Sequence, residues 1–242
     1  MNCAKSCLFI MLMHMGMSGA ALAQEQKTLD KTTRGDHVMK VELLGASIGE
    51  QWRLDEFAQR TNRREFKLSA RQEYDFDKSN LLKSAIASPD KPDAVIIKEC
   101  AAYFPDEVQE YQQRITRWVQ QAKAAGIVPI VATTVPVTER MPTWLYMKQL
   151  VKRYVLRRNY VDYTERLAKI WEYNDWVREF SLKNGVALLD LERALRVSDT
   201  NRSLSDKYAK DDGLHINSAA YQVLDGELIR VLDQVSRATG HR

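Results

Sequence analysis

A serine hydroxyl becomes a nucleophile only when a neighbouring base takes its proton. Two stretches of this sequence supply such groups. Ser47 stands in Leu43-Leu44-Gly45-Ala46-Ser47-Ile48-Gly49, just past a run that reads as a strand. Near the other end, Asp211-Asp212-Gly213-Leu214-His215-Ile216-Asn217 holds an acid three residues before a histidine. In a tight turn Asp212 can accept from one imidazole nitrogen of His215, fixing the tautomer and leaving the other nitrogen for the Ser47 proton. Each signal alone is weak, since serines after strands commonly cap helices and Asp-x-x-His turns are commonly solvated loops. Their order and their position at element boundaries make them specific together. Competition is slight: beyond residue 23 the other histidines are His37, beside the first strand, and His241, at the terminus. Cys100 follows a central strand, where a small buried hydrophobe is expected. No Cys/His cluster has metal spacing and no Gly-rich phosphate loop is present, so no metal and no cofactor is expected.

The elements that must position these groups alternate in type. Strand-like runs cover Val38 to Leu44, Glu65 to Ala70, Ala94 to Ile97, Ile127 to Ala132 and Val186 to Asp190. Helical patterns cover Trp52 to Arg60, Leu81 to Ala87, Asp106 to Ala125, and Trp144 to Asn184 with at least one break; Asn217 can cap a last one. Strands separated by helices imply βαβ crossovers. The expected class is α/β: a three-layer α/β/α sandwich with a mostly parallel sheet of about five strands. Active groups in such sheets sit at the carboxyl ends of strands.

The chain has 242 residues, 45% hydrophobic, enough for one ordinary core. Its net charge of +4 is too small to argue for nucleic acid, which is not expected as a partner. Met1 to Ala23 reads as a secretory signal: Lys5, then an apolar run from Leu8, then Ala21-Leu22-Ala23 as a cleavage site. The run is too short for a spanning helix, so no transmembrane anchor is expected after cleavage. Residues 24–36 read as a flexible arm and 37–242 as one domain. Cleavage leaves Cys100 as the sole cysteine, which cannot form an intrachain disulfide. The expected location is periplasmic or secreted.

On these motifs the sequence resembles the SGNH (GDSL-like) hydrolase superfamily. The family's Gly-Asp-Ser nucleophile motif corresponds to Gly45-Ala46-Ser47, and its C-terminal Asp-x-x-His to Asp212-Gly213-Leu214-His215. The resemblance runs roughly from Val38 to Val235 and implies a flavodoxin-like SGNH fold with Ser47, His215 and Asp212 as a catalytic triad. There are departures. Ala46 replaces the family's Asp. The family completes its oxyanion hole with a Gly and an Asn from two further blocks. The corresponding stretches here, Tyr74 to Asn80 and Lys98 to Pro105, contain no Gly, and the second has no Asn. The Ser47 N–H remains as one donor, with the Asp77–Asn80 turn as a further source. Candidate oxyanion or substrate-binding residues are therefore Ser47, Ser79, Glu99, Lys78 and Tyr103. An ionised Glu99 would repel the intermediate, so it must turn away, pair with Lys98 or Lys78, or be protonated by burial. The expectation is that it pairs with the Asp77-Lys78-Ser79 turn.

A basic, aromatic helical insertion spans about 138–166. From Arg140 to Arg166, the basic residues Arg140, Lys148, Lys152, Arg153, Arg157, Arg158 and Arg166 face only Asp162 and Glu165, with Trp144, Tyr146, Tyr154, Tyr160 and Tyr163 interleaved. Such a surface suits an anionic ligand, and its ring faces suit sugars. The function these features imply is an exported serine ester hydrolase cleaving acyl esters, O-acetyl above all, on saccharides or other small molecules. The rival readings are a periplasmic O-acyltransferase of exopolysaccharide modification and a non-catalytic SGNH-like binding protein.

Overall fold

The computed structural model describes residues 38–75, 77–104, 108–156 and 162–240. The signal and arm, with His37, His241, Asp106, Arg157, Arg158 and Tyr160, lie outside the described residues. Strands β1 (Met39–Gly45), β2 (Phe66–Gln72), β3 (Ala94–Lys98), β4 (Val128–Ala132) and β5 (Ala187–Leu189) pair in parallel, in the order β2-β1-β3-β4-β5. That order reverses between β1 and β3. In doubly wound sheets the crevice at this reversal, outside the carboxyl ends, is where ligands bind.

Residue alternation along the strands builds two cores. Leu43, Ala94 and Ile96 face one side, against Ile48, Phe57 and the last helix; Leu44, Val95 and Ile97 face the other. On that second side lie α3 (Ser79–Ala87), α4 (Val108–Ala124) and α6 (Tyr163–Asn184). The α4 stripe of Val108, Tyr111, Ile115, Val119 and Ala122 is buried as its periodicity requires, and Gly126 ends the helix at φ 71°. After the short α7 (Leu191–Leu195), the last helix, α8 (Ser218–Thr239), is capped by Asn217, whose Oδ1 accepts from the Ala220 N–H at 3.1 Å.

Local corrections have steric causes. A helix α1 (Ser47–Gln51) precedes Trp52, and the expected Trp52–Arg60 helix is instead a turn, a 3-10 turn (Leu54–Glu56) and α2 (Phe57–Thr61). Arg53 adopts the left-handed region at φ 50° and breaks the run. On one continuous helix Trp52 and Leu54 would point about 200° apart; the break lets both be buried, at 1% and 2% exposure. The long helical stretch is α5 (Thr143–Leu156) and α6, with Asp162 capping the latter. Cys100 is half-buried, because the strand ends before it.

A polar network holds the segment after β4. Asn174, fully buried on α6, donates to the Thr134 carbonyl at 2.8 Å and to Glu192 Oε2 at 2.7 Å, and accepts from the Thr134 N–H at 2.7 Å. Arg202 closes the far side of Glu192 with bonds of 2.7 and 2.9 Å. Buried polar groups deprived of partners are costly. Asn174→Ala is expected to lower the free energy of urea unfolding by about 2–4 kcal/mol; a loss under about 1 kcal/mol would remove this network from the fold's supports.

Candidate active site

Strand β1 delivers Ser47 directly onto a helix. Ala46 takes φ −136° and ψ −145°, and Ser47 opens α1. The turn is tight over Leu43: a Cβ at Gly45 or Gly49 would lie 2.8 or 2.5 Å from Leu43 Cδ2. Small residues on both sides of the serine follow from that approach. The first bond across the turn runs from the Glu50 N–H to the Ala46 carbonyl at 3.1 Å. The N–H groups of Ser47, Ile48 and Gly49 therefore stand outside the helix's own ladder. Ser47 is half-buried, so its hydroxyl can meet a ligand.

The Asp212–His215 turn is held from within. Asp212 Oδ2 lies 2.6 Å from His215 Nδ1, while Oδ1 accepts from the N–H groups of His215 at 2.8 Å and Leu214 at 2.9 Å. Burial alone would raise the Asp212 carboxyl, but the bonds from the His215 ring, His215 N–H and Leu214 N–H hold it below its ordinary value. Ionised Asp212 thus fixes the Nδ1–H tautomer and leaves Nε2 as a base. Outside supports add to this. The Tyr163 hydroxyl donates to the Asp212 carbonyl at 2.7 Å, the Thr138 N–H to the Gly213 carbonyl at 2.9 Å, and the Trp144 indole to the Asp211 carbonyl at 3.1 Å. Gly213 sits at φ +66° with Thr138 Oγ1 only 2.3 Å from where a Cβ would be.

The two elements meet at one end of the sheet. Lys210 Nζ donates to Gln51 Oε1 at 2.7 Å, tying the His215 loop to the end of α1. Ile48 and Ile216 share one core cluster. Just past α1, the Trp52 indole donates to Asp225 Oδ1 on α8 at 2.8 Å, and Arg60 brackets the same carboxylate at 2.8 and 2.9 Å. Among the described residues no hydrogen bond joins the Ser47 hydroxyl to the His215 ring, a separation common before substrate aligns the groups.

The end of β3 is built differently from the expectation. Leu44 pairs with Ile97, so Gly45-Ala46-Ser47 and Lys98-Glu99-Cys100 leave the sheet side by side. Glu99 is fully buried and neither carboxyl oxygen has a hydrogen-bond partner. The expected pairing with the Asp77-Lys78-Ser79 turn is absent because the lysines are engaged elsewhere. Lys98 Nζ donates to the Glu99 backbone carbonyl at 2.7 Å; Lys78 Nζ donates to the carbonyls of Asp75 at 2.8 Å and Glu73 at 3.3 Å and to the Tyr103 hydroxyl at 3.3 Å. Tyr103 in turn donates to the Asp75 carbonyl at 3.1 Å. Lys78 and Tyr103 therefore tie the carbonyls of Glu73 and Asp75 to the segment after β3. Ser79 is engaged as well: its N–H donates to Asp77 Oδ1 and its hydroxyl accepts from the Trp118 indole, both at 2.9 Å. That leaves the N–H groups of Ser47 to Gly49 as the donors this geometry offers beside the hydroxyl.

Sequence reasoning missed the supports of this site: Gln51, Lys210 and Tyr163 as the partner of the Asp212 turn. Tyr173 is fully buried with an unpartnered hydroxyl, and Glu99 acts on it electrostatically. Pairings such as Gln51 with Lys210, 159 residues apart, leave no periodic signal. Among the described residues no group of three or more His, Cys, Asp or Glu is arranged to hold a metal ion. A cleft of about 1230 Å³ lined by Pro129, Ala187 and Arg230 lies at the opposite end of β4 and β5, remote from Ser47.

Burial pushes the Glu99 carboxyl up to about 7, against the pull of Lys78, Lys98 and Arg114. The folded chain then holds a proton that the unfolded chain releases above its ordinary value of 4.5. Stability from this group is full below that value and is lost as pH rises through about 7. Glutamine cannot titrate, so Glu99→Gln should gain on wild type in unfolding free energy between pH 5 and pH 8. A gap that stays constant over that range would contradict the burial of a neutral carboxyl.

No family model matches the sequence, and no curated protein does. Solved structures do match. A GDSL-like lipase from Bacteroides thetaiotaomicron is similar with a TM-score of 0.60 at 16% identity, over 89% of this chain and 97% of that one. A catalytic mutant of an acetylxylan esterase from Geobacillus stearothermophilus gives 0.55 at 12%, over 79% and 93%. A psychrotrophic esterase from a Pseudoalteromonas species gives 0.53 at 13%, over 82% and 98%. The reversal of strand order, the serine after β1 and the Asp-x-x-His turn before α8 agree with that likeness: the chain has the fold of the GDSL-like and SGNH hydrolases.

Proposed function

We propose that this chain is an exported serine ester hydrolase. Ser47 Oγ attacks the carbonyl carbon of an acyl ester. His215 Nε2 takes the Ser47 proton and returns it to the departing alkoxide, which leaves as the alcohol. Asp212 orients the ring and stabilises the imidazolium. Water then attacks the acyl-enzyme, His215 again taking and returning a proton, and the acid is released with Ser47 restored. The N–H groups of Ser47 to Gly49 are the donors nearest the developing oxyanion.

The observation that carries this reading is the 2.6 Å Asp212–His215 contact on a loop bonded, through Lys210, to the helix that Ser47 opens. Acyl esters, O-acetyl groups on saccharides above all, are the proposed substrates. The half-exposed serine admits them, and one of the similar structures is an acetylxylan esterase. Residues 1–23 support action in the periplasm or outside the cell.

Turnover of p-nitrophenyl acetate tests the reading. Ser47→Ala is expected to lower kcat by at least about 10⁴-fold, and Asp212→Asn by roughly 10²–10⁴-fold, with unfolding midpoints near wild type for Ser47→Ala. Activity of Ser47→Ala within tenfold of wild type would overturn it.

A further inference from the structure

Helix α5 carries its apolar stripe on the wrong side for a helix that only covers a core. At 100° per residue, Trp144, Met147, Val151, Tyr154 and Val155 fall within an arc of about 100°. All five are exposed, from 53% for Trp144 to 75% for Tyr154. Leu145, on the other face, is the side chain that packs against the core. With Tyr146, this one helix holds six of the ten exposed large apolar or aromatic side chains among the described residues. Scattered exposed apolar residues are ordinary, whereas a contiguous stripe marks a binding surface.

The charge on the helix is of one sign. Thr143–Leu156 contains Lys148, Lys152 and Arg153 and no acid. Among the described residues none of the three lies in an ion pair, and exposed Arg140 precedes them. Lys148 and Lys152 follow one edge of the stripe, beyond Val155 on the helical wheel.

We infer that α5 is an interfacial helix that seats this protein on an anionic phospholipid surface, with the Asp212–His215 turn at the edge of the contact. The stripe selects among anionic partners. Met147, Val151 and Val155 have nothing to offer a hydrated polymer, whereas their burial in acyl chains is favourable. Trp144, Tyr146 and Tyr154 combine an apolar ring with a polar tip, the type that settles at headgroup level. The basic residues attract anionic headgroups. Fourteen residues make about 21 Å of helix, and no helix among the described residues is long and apolar enough to cross a membrane, so the contact lies in the plane of the surface. The Trp144 indole bond to the Asp211 carbonyl couples the start of this helix to the candidate site.

Cosedimentation of the full chain with vesicles tests the inference. Wild type is expected to bind phosphatidylglycerol-containing vesicles at least tenfold more tightly than phosphatidylcholine vesicles, with affinity falling as salt rises. Met147→Ser with Val151→Ser and Val155→Ser should lose at least tenfold. So should Lys148→Glu with Lys152→Glu; Lys148 is exposed, Lys152 half-buried and neither lies in an ion pair among the described residues, and an unfolding midpoint near wild type checks that the fold is kept. Equal binding to both vesicle types, binding to neither, or wild-type affinity in both variants would overturn the inference. It would also be overturned by a wild-type dimer in sedimentation that the triple variant loses, or by retention on an anionic polysaccharide in place of vesicles. The readout is binding, and Ser47→Ala should bind as wild type does. Failure of the surface contact is therefore separate from failure of the esterase reading.

Discussion

A carboxylate that accepts from a histidine ring and from that residue's own N–H leaves the ring little freedom to rotate. Asp212 does this with bonds of 2.6 and 2.8 Å, and the Leu214 N–H adds a third donor at 2.9 Å. Charge-assisted bonds of this kind are among the stronger ones in proteins. They stabilise the ionised acid and leave Nε2 as the imidazole nitrogen free for the proposed chemistry. The surroundings of the turn serve that geometry. Gly213 supplies a left-handed residue where Thr138 leaves no room for a Cβ, and Tyr163 and Trp144 engage the carbonyls that the turn exposes.

A base can serve only beside its nucleophile, and the proposed pair, His215 and Ser47, lie 168 positions apart in a 242-residue chain. The parallel sheet removes that distance. Its strands all end at one edge, and the reversal of order between β1 and β3 opens the crevice into which Ser47 emerges. The bond between Lys210 and Gln51 is exposed and contributes little alone. The stronger join is buried: Ile48 and Ile216 belong to one core cluster, and Trp52 and Arg60 bond Asp225, which locks the end of α1 and α2 to α8. The site is thus held by the core on the α8 side. On the other side, Glu99 stands just past β3, the strand paired with β1, as a buried carboxyl without a hydrogen-bond partner.

Where a residue pattern reports local burial, the fold was legible. The runs Ala94–Ile97 and Val128–Ala132 are central strands, the α4 stripe is buried, and Asn217 caps α8. Motif spacing likewise located the Asp212–His215 pair, because an i to i+3 contact is local. The rest depends on contacts distant in sequence. Nothing in Arg53 announces a left-handed residue; only the need to bury both Trp52 and Leu54 explains it. The surroundings of Glu99 come from loops around Asp75 and Tyr103 that draw off Lys78, so its lack of a partner is a tertiary fact. The basic and aromatic character of α5 was visible, but a helical wheel does not say which side meets the domain, and the apolar side is the one left in water.

The central claim is that His215 activates Ser47. The most direct measurement is mass-spectrometric mapping of the chain after reaction with a fluorophosphonate, for wild type and for His215→Ala. One phosphonyl group on Ser47, with a rate that collapses in the variant, is the predicted result. An adduct on another residue, or equal rates in the two proteins, would contradict the account.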